Sequence, residues 1–486
     1  MKWANFLHFY QPANQQKDIL EAVVNQCYRP IFKGLLNKPR ANLTINVSGG
    51  LFEVLDKCGF TDVINDLRLL YGLGVVEFTS TACYHAFLPL LPTEEIKRQV
   101  DLNNTLLRHY LGEDFSPQGF FPPEMACNQK VLDVVVSMGF KYILLDEIAL
   151  GEKELLENNC LYKVGKSGFK VFFRQRRPSN VIMSGIERDS DNLHLLLKEY
   201  ASEHYLVTAM DGETFGHHRP GLEAPFLDIF DNNDIEFSKM SDLLNMNLPS
   251  VEVSLLDSTW ASSQDDIIKG IQFISWNDPS NVIHKWQWEF VNLMLNLVNG
   301  PNKEMADKAL ASDQFFWASG KPWWSVEMIE SGAYGCLSVI EKIPGVLKAD
   351  LEKAHSLYRN IVSTAFEWQR TGKIRELNKE RYNTQRIPFK TRTLETGGAE
   401  AAVYKAFIDM MRAEEKKAAT AGEYEKAILW RDAVYKIETK NDIYDAVSAV
   451  DLLRVRISNE KVEKIINEYK SEYNRIRGGQ PEQRSN

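Results

Sequence analysis

Seven short apolar runs alternate with amphipathic stretches through the first half of the chain, and this alternation restricts the fold more than any other feature. The runs are 2–9, 42–48, 75–80, 118–122, 141–146, 204–211 and 249–256. They are nearly continuous in apolar residues, as strands covered on both faces are. The segment 93–111 typifies what lies between them. Ile96, Val100, Leu107 and Leu111 recur there at roughly helical spacing, and Leu102 and Leu106 add an i, i+4 pair. Strands alternating with helices predict a parallel sheet or barrel. An inserted hairpin is predicted at 160–173, where a glycine-containing turn separates two short strands.

From residue 284 the strand signals fade and helical patterns take over. Pro, Thr and Gly together mark 383–400 as a linker. Charged helices follow to about 475, and the polar end of the chain reads as a disordered tail. These shifts divide the chain into a barrel over 1–283, a helical region over 284–382, a helical segment over 400–475 and the tail 476–486.

Composition removes several function classes. A net charge of -9 argues against a general polyanion binder, so no nucleic-acid partner is expected. No apolar run reaches about 18 residues, so no membrane span is expected. The first residues hold too short an apolar stretch for a signal peptide. Six cysteines stand scattered without CxxC spacing, which reads as reduced thiols in a cytoplasmic chain.

Polar chemistry gathers at or just past four of the runs. His8, Tyr10 and Gln11 follow the first, Glu77 and His85 accompany the third, Glu124 follows the fourth, and Asp211 ends the sixth. In parallel barrels the catalytic groups sit at the carboxyl ends of strands. Two carboxylates on separate strands point to glycosidic-bond chemistry: one attacks the sugar, the other protonates the leaving oxygen and later activates the acceptor.

These stretches resemble, in order and spacing, the signature regions of glycoside hydrolase family 57. His8-Phe9-Tyr10-Gln11-Pro12 is similar to its first motif, Gly74-Val75-Val76-Glu77 to its second, Pro123-Glu124 to its third and Asp211-Gly212-Glu213 to its fourth. Ser312, Asp313, Phe315 and Trp317 are similar to the fifth motif of its amylopullulanase-like branch. The resemblance implies a (β/α)7 barrel followed by a helical region and C-terminal helices, with retaining chemistry on α-1,4-glucans or maltooligosaccharides. It implies Glu124 as nucleophile and Asp211 as acid/base. His8, Gln11, Glu77, His85, Glu213, His217, Trp260, Asp313 and Trp317 become candidate substrate contacts. No cofactor and no metal are expected. Tyr10 departs from the second histidine of the first motif. The form "SDQFFWASG" leans away from the glucanotransferase branch.

Plainer readings stand beside these. Glu124 could cap the helix that starts near Asn128, and Asp211 could be a turn residue before Gly212. His217 and His218 are adjacent and lack HxH or HxxxH spacing, so substrate contact or hydrogen bonding comes before metal binding. Any single tryptophan, Trp260 and Trp317 included, most often fills a core. The stretch 416–438 resembles the UVR-type helical hairpin, through Ala418, Tyr424, Glu425, Ala427, Leu429, Arg431 and Asp432. That likeness implies a protein partner for the C-terminal helices. The rival functions are glucanotransferase or branching enzyme on the same site, a metal-dependent polysaccharide deacetylase, and a non-catalytic glucan-binding scaffold.

Overall fold

A computed structural model describes residues 1–439 except 152–155, 166–167, 186–188, 322 and 383–400, together with isolated positions from 449 to 468. Its strands are β1 (Lys2–Phe9), β2 (Leu43–Val47), β3 (Val76–Phe78), β4 (Gly119–Phe120) and β5 (Tyr142–Asp146), then β6 (Leu161–Val164), β7 (Phe169–Arg174), β8 (Tyr205–Asp211), β9 (Glu236–Phe237) and β10 (Ser250–Glu252).

Seven of them close into a parallel ring. β1 lies between β2 and β8, and β2 carries β3 on its other side. Just past β3, Ser80 continues the ladder onto β4: its amide donates to the Gly119 carbonyl at 2.9 Å and its carbonyl accepts from the Phe121 amide at 2.9 Å. β4 pairs with β5, and β5 with β7. The Gln175 amide, one residue past β7, donates to the Val207 carbonyl at 3.0 Å and completes the circuit to β8. The (β/α)7 barrel is therefore present, in the order β1-β2-β3-β4-β5-β7-β8.

One of the seven runs is not a barrel strand. Of 249–256 only Ser250–Glu252 is extended, and all three residues are exposed. β10 pairs with β6 on the edge of the hairpin, outside the ring. Its place beside β5 is taken by β7, the second strand of the hairpin at 160–173, which is buried at five of its six positions. Both runs carry alternating apolar residues, and only the long-range pairing separates them. β9 is a two-residue strand against the foot of β1.

The barrel interior is filled by Phe6, Phe121, Tyr142, Leu144, Phe172 and Tyr205. Such filling makes it a packed core rather than a pore. A Cβ at Gly119 would overlap the Tyr142 ring, so the short strand β4 needs glycine there. A wide apolar layer lies beneath the outer helices on the β1–β2–β3 side. A second joins the β4–β7 side to the later helices Val282–Leu297, Val326–Glu341 and Lys348–Thr371. The predicted face of helix Thr93–Leu111 is buried at Ile96, Val100, Leu107 and Leu111.

Helices Ala401–Thr420 and Tyr424–Thr439 form an antiparallel hairpin. Its turn runs through Ala421 and Gly422, where Gly422 has φ +75° and the Glu423 amide donates to the Ala418 carbonyl at 2.9 Å. Phe407, Met411, Trp430, Ile437 and Leu453 give this part a hydrophobic cluster of its own. The linker read at 383–400 and the tail read at 476–486 lie outside the described residues. No helix among the described residues is long and apolar enough to cross a membrane.

Candidate active site

The parallel register sets the height of each polar group. His8 pairs with Asn46 on one side and Asp211 on the other, so all three stand level near the carboxyl ends of β1, β2 and β8. Glu124 follows β4 in a single turn, Pro123–Met125. The cap reading of Glu124 does not hold, because helix Gln129–Ser137 is capped by Asn128, whose side chain accepts from the Val131 amide at 3.1 Å.

Backbone strain marks the same place. Among the described residues, only His85 (φ +57°), Glu124 (φ +61°) and Met125 (φ +48°) have positive φ without being glycine. Left-handed backbone of this kind costs roughly 1–3 kcal/mol per residue and persists where the surroundings impose it. His85 and Glu124 meet: Nδ1 of His85 lies 3.8 Å from Oε1 of Glu124.

Trp260 holds the other carboxylate oxygen. Its Nε1 donates to Glu124 Oε2 at 2.8 Å. His85 Nδ1 is also 2.9 Å from Ser312 Oγ, and His85 Nε2 is 3.2 Å from His8 Nε2. His8 Nδ1 lies 2.9 Å from Asn46 Oδ1. Burial lowers His8 to about 4 and pushes His85 well below the usual imidazole range, so both rings are neutral.

Tyr10 fills the position of the missing histidine. Its hydroxyl donates to Asp313 Oδ2 at 2.6 Å, and its ring stacks on His85 with centroids 4.0 Å apart. Asp313 and Ser312 come from beyond the barrel and are tied to it by a bridge between Ala86 and Ala311. Trp317 packs edge-on against Phe316 and Trp323 at the same end of the chain's helical region.

Burial also governs the carboxyls. It raises Glu124 to about 8; the Trp260 hydrogen bond opposes the rise, and the charges of Asp211 and Asp313 add to it. It raises Asp211 to about 6, with the Arg174 guanidinium pulling it back down. Near neutral pH the proton therefore rests mainly on Glu124.

Three candidate contacts take other duties. Glu77 pairs with Thr44, level with Phe6 of β1 and one side-chain layer below His8. It accepts from Thr44 Oγ1 at 3.0 Å and from the Ser241 amide at 3.1 Å, so it braces the lower barrel instead of reaching the mouth. Glu213 is buried, and its Oε1 accepts from the Tyr28 hydroxyl at 2.6 Å and the Tyr10 amide at 3.0 Å. His217 Nδ1 lies 2.7 Å from Gln26 Oε1, while His218 is exposed. Gln26, Cys27 and Tyr28 all sit on the π-helical turn Val24–Tyr28, and each contacts the loop after β8; Cys27 Sγ donates to the Gly212 carbonyl at 3.2 Å. Gln11 accepts from Gln15 Nε2 at 2.8 Å on the loop after β1.

Sequence reasoning missed Asn46, Tyr28 and the Asp146–Arg174 pair, and named Ser312 as a motif residue without giving it a place in the site. Arg174 is buried at the end of β7 and directly paired in register with Asp146 at the end of β5. Its Nη1 donates to Asp146 Oδ2 at 2.9 Å and its Nε to the Ala209 carbonyl at 2.7 Å, two residues before Asp211. Arg176 adds a bond from Nε to Asp146 Oδ1 at 2.5 Å, and its Nη2 donates to the Trp260 carbonyl at 3.1 Å. The signal was a charge closing each apolar run, "YILLD" and "FKVFFR". Among the described residues, no three His, Cys, Asp or Glu side chains gather as metal ligands.

The alpha-amylase 1 of Dictyoglomus thermophilum is 23% identical over 217 residues, covering 43% of this chain and 31% of that protein. The alpha-amylase of Pyrococcus horikoshii is 23% identical over 215 residues, covering 43% and 33%. The chain thus spans about a third of the length of the curated relatives it matches. Among solved structures, the GH57-type branching enzyme of Pyrococcus horikoshii superposes with a TM-score of 0.58 at 15% identity, covering 75% of this chain and 95% of that one. The 4-alpha-glucanotransferase of Thermococcus litoralis gives 0.57 at 17% identity, covering 70% and 59%. Both share the fold. The family model described as Glycosyl hydrolase family 57 matches residues 3–255, more than half of the chain and all seven barrel strands, and the chain belongs to that family.

Proposed function

We propose that the chain is a retaining glycoside hydrolase acting on α-1,4-linked glucans in the manner of an amylase. Supporting it is the placement of Glu124 and Asp211 at the mouth of one barrel, one just past β4 and one at the end of β8, close enough that the charge of Asp211 acts on Glu124. Glu124 attacks the anomeric carbon as Asp211 gives its proton to the leaving oxygen. Asp211 then takes a proton from the acceptor hydroxyl, which displaces Glu124 and regenerates the free carboxylate. The attacking form needs Glu124 ionised and Asp211 protonated. With Glu124 raised to about 8 and Asp211 to about 6, that is the less populated arrangement near neutral pH. His8, Gln11, His85, Asp313 and Trp317 are proposed to line the path of the glucan, and the working compartment is proposed to be the cytoplasm. The helical hairpin after residue 400 is proposed to carry a protein contact.

Water as acceptor gives an amylase; a glucan hydroxyl gives a glucanotransferase or branching enzyme. Incubation with amylose and with maltooligosaccharides, followed by product analysis, tests the reading. Shorter reducing chains are expected. Longer or newly branched chains would assign transfer, and binding without any product would assign a scaffold. Covalent trapping with a fluorinated glucosyl donor should label Glu124, and label on Glu213 would move the nucleophile.

A further inference from the structure

Among the described residues, no amide and no side chain hydrogen-bonds to the Asp211 carboxyl. Its direction therefore comes from the backbone that carries it. Below Asp211, β8 is fixed by its register against β1 and by Arg174 on the Ala209 carbonyl. Beyond Asp211 the chain turns at once through Gly212–Thr214. Whatever holds that turn sets the direction of the acid.

The turn Val24–Tyr28 holds it. Its π-helical form is marked by the Arg29 amide, which donates to the Val24 carbonyl five residues back. In an α-helix three consecutive side chains fan over about 200°. The wider π turn narrows that fan, and turns of this kind recur at functional sites. Here Tyr28, Cys27 and Gln26 all reach the same loop. The Tyr28 hydroxyl donates to Glu213 Oε1 at 2.6 Å, Cys27 Sγ donates to the Gly212 carbonyl at 3.2 Å, and Gln26 Oε1 meets His217 Nδ1 at 2.7 Å. The backbones also fit closely: a Cβ on Gly216, at φ +104°, would come within 1.9 Å of the Gln26 carbonyl oxygen. Burial pushes Tyr28 and Cys27 well above their ordinary ranges, so each keeps the hydrogen that it donates. Gln11 stands on the acceptor side of the Tyr28 hydroxyl and does not compete for that hydrogen. Glu213 Oε1 also accepts from the Tyr10 amide at 3.0 Å, which ties the turn to the end of β1.

We propose that this π turn aims Asp211, with Tyr28 and Cys27 as positioning residues that hold Glu213 and Gly212 and so fix the direction of the neighbouring carboxyl. The proposal rests on Asp211 being the acid/base group of a glycosidase.

Two substrates that differ in their need for an acid test it on the full chain. With a maltooligosaccharide the C–O bond breaks and the leaving oxygen takes the proton of Asp211. With α-maltosyl fluoride the C–F bond breaks and fluoride leaves with the electron pair, needing no proton. For either substrate kcat/KM reads only the steps up to this departure, so later hydrolysis or transfer does not enter. Tyr28→Phe keeps the ring and removes the hydroxyl. Its kcat/KM should fall roughly 10–100-fold on the maltooligosaccharide and about threefold or less on the fluoride. Equal falls on both substrates would reduce Tyr28 to a support of the fold and overturn the proposal, as would no fall on the maltooligosaccharide. Cys27→Ala removes a weaker donor to the same loop; it is read in the same way and decides the matter if Tyr28→Phe does not fold. Asp211→Ala is the reference and should show the same selective loss, larger. If it does and the variants of the π turn do not, the proposal alone falls. If Asp211→Ala lacks the selectivity, or the parent acts on neither substrate, the acid/base reading falls and takes the proposal with it.

Discussion

Trp260 and Glu124 are joined twice: the indole Nε1 donates to Glu124 Oε2 at 2.8 Å, and the Trp260 amide donates to the Glu124 carbonyl at 3.1 Å. One bond fixes the side chain and the other fixes the strained backbone beneath it. A tryptophan read from sequence as a candidate substrate contact is thereby a donor to the candidate nucleophile.

Trp260→Phe separates the two. It keeps the ring and the amide but removes the donor to the carboxylate. A hydrogen bond to a charged group is worth about 1.5–3 kcal/mol, so kcat/KM on a maltooligosaccharide should fall roughly 10–100-fold with little change in melting temperature. An unchanged rate would mean that the indole hydrogen bond has no part in turnover.

The raised carboxyls make stability depend on pH. Glu124, Asp211 and Glu213 hold protons more tightly in the folded chain than in the unfolded one, where values of about 4.3 for Glu and 3.9 for Asp apply. Their contribution is complete below the unfolded values and is lost as pH climbs through about 6 for Asp211 and about 8 for the two glutamates. Glu124→Gln and Asp211→Asn, which cannot ionise, should therefore melt higher than the parent above about pH 8 and close to it near about pH 4. Calorimetry across this range decides it, and a gain independent of pH would mean that these side chains ionise freely in the fold.

Arg174 anchors β7 to β5 and β8 at once. Arg174→Met leaves Asp146 with Arg176 alone, and breaking a buried pair in this way costs about 3–5 kcal/mol, toward the lower end here because Arg176 remains. The nearby cation is also lost to Asp211, whose midpoint should rise. Urea unfolding reads the first effect and the pH profile of kcat/KM the second. A destabilised protein with an unmoved profile would confine Arg174 to holding the barrel shut.

A chain truncated after Thr391 should fold and keep the proposed glucan activity, because the helices beyond 400 pack around a hydrophobic cluster separate from those of the barrel. Light scattering and product analysis check this together. Aggregation would show that those helices cover barrel surface.

The strand ends were legible because a carboxylate or imidazole closing an apolar run is costly to bury without a purpose. That singled out His8, Glu124 and Asp211, which the fold brings to one mouth. Glu77 met the same criterion and lies a layer lower, since a sequence gives the phase of a strand but not its stagger against its neighbours. The exchange of 249–256 for Phe169–Arg174 has the same origin: both runs suit a strand, and only pairing with β5 chooses between them. Asn46 and Arg174 were out of reach, and so was the role of Ser312, because each acts through a partner at least 28 residues away.

The three left-handed residues at the mouth have a consequence for descent. His85, Glu124 and Met125 hold a conformation that glycine would adopt at no steric cost, so every generation of mutation offers the fold an easy gain there. On the proposed function, the side chains at His85 and Glu124 are what keeps glycine out. In a lineage where such chemistry had ceased to matter, these positions are expected to accept Gly or Asn, with the same backbone angles, before the apolar barrel changes.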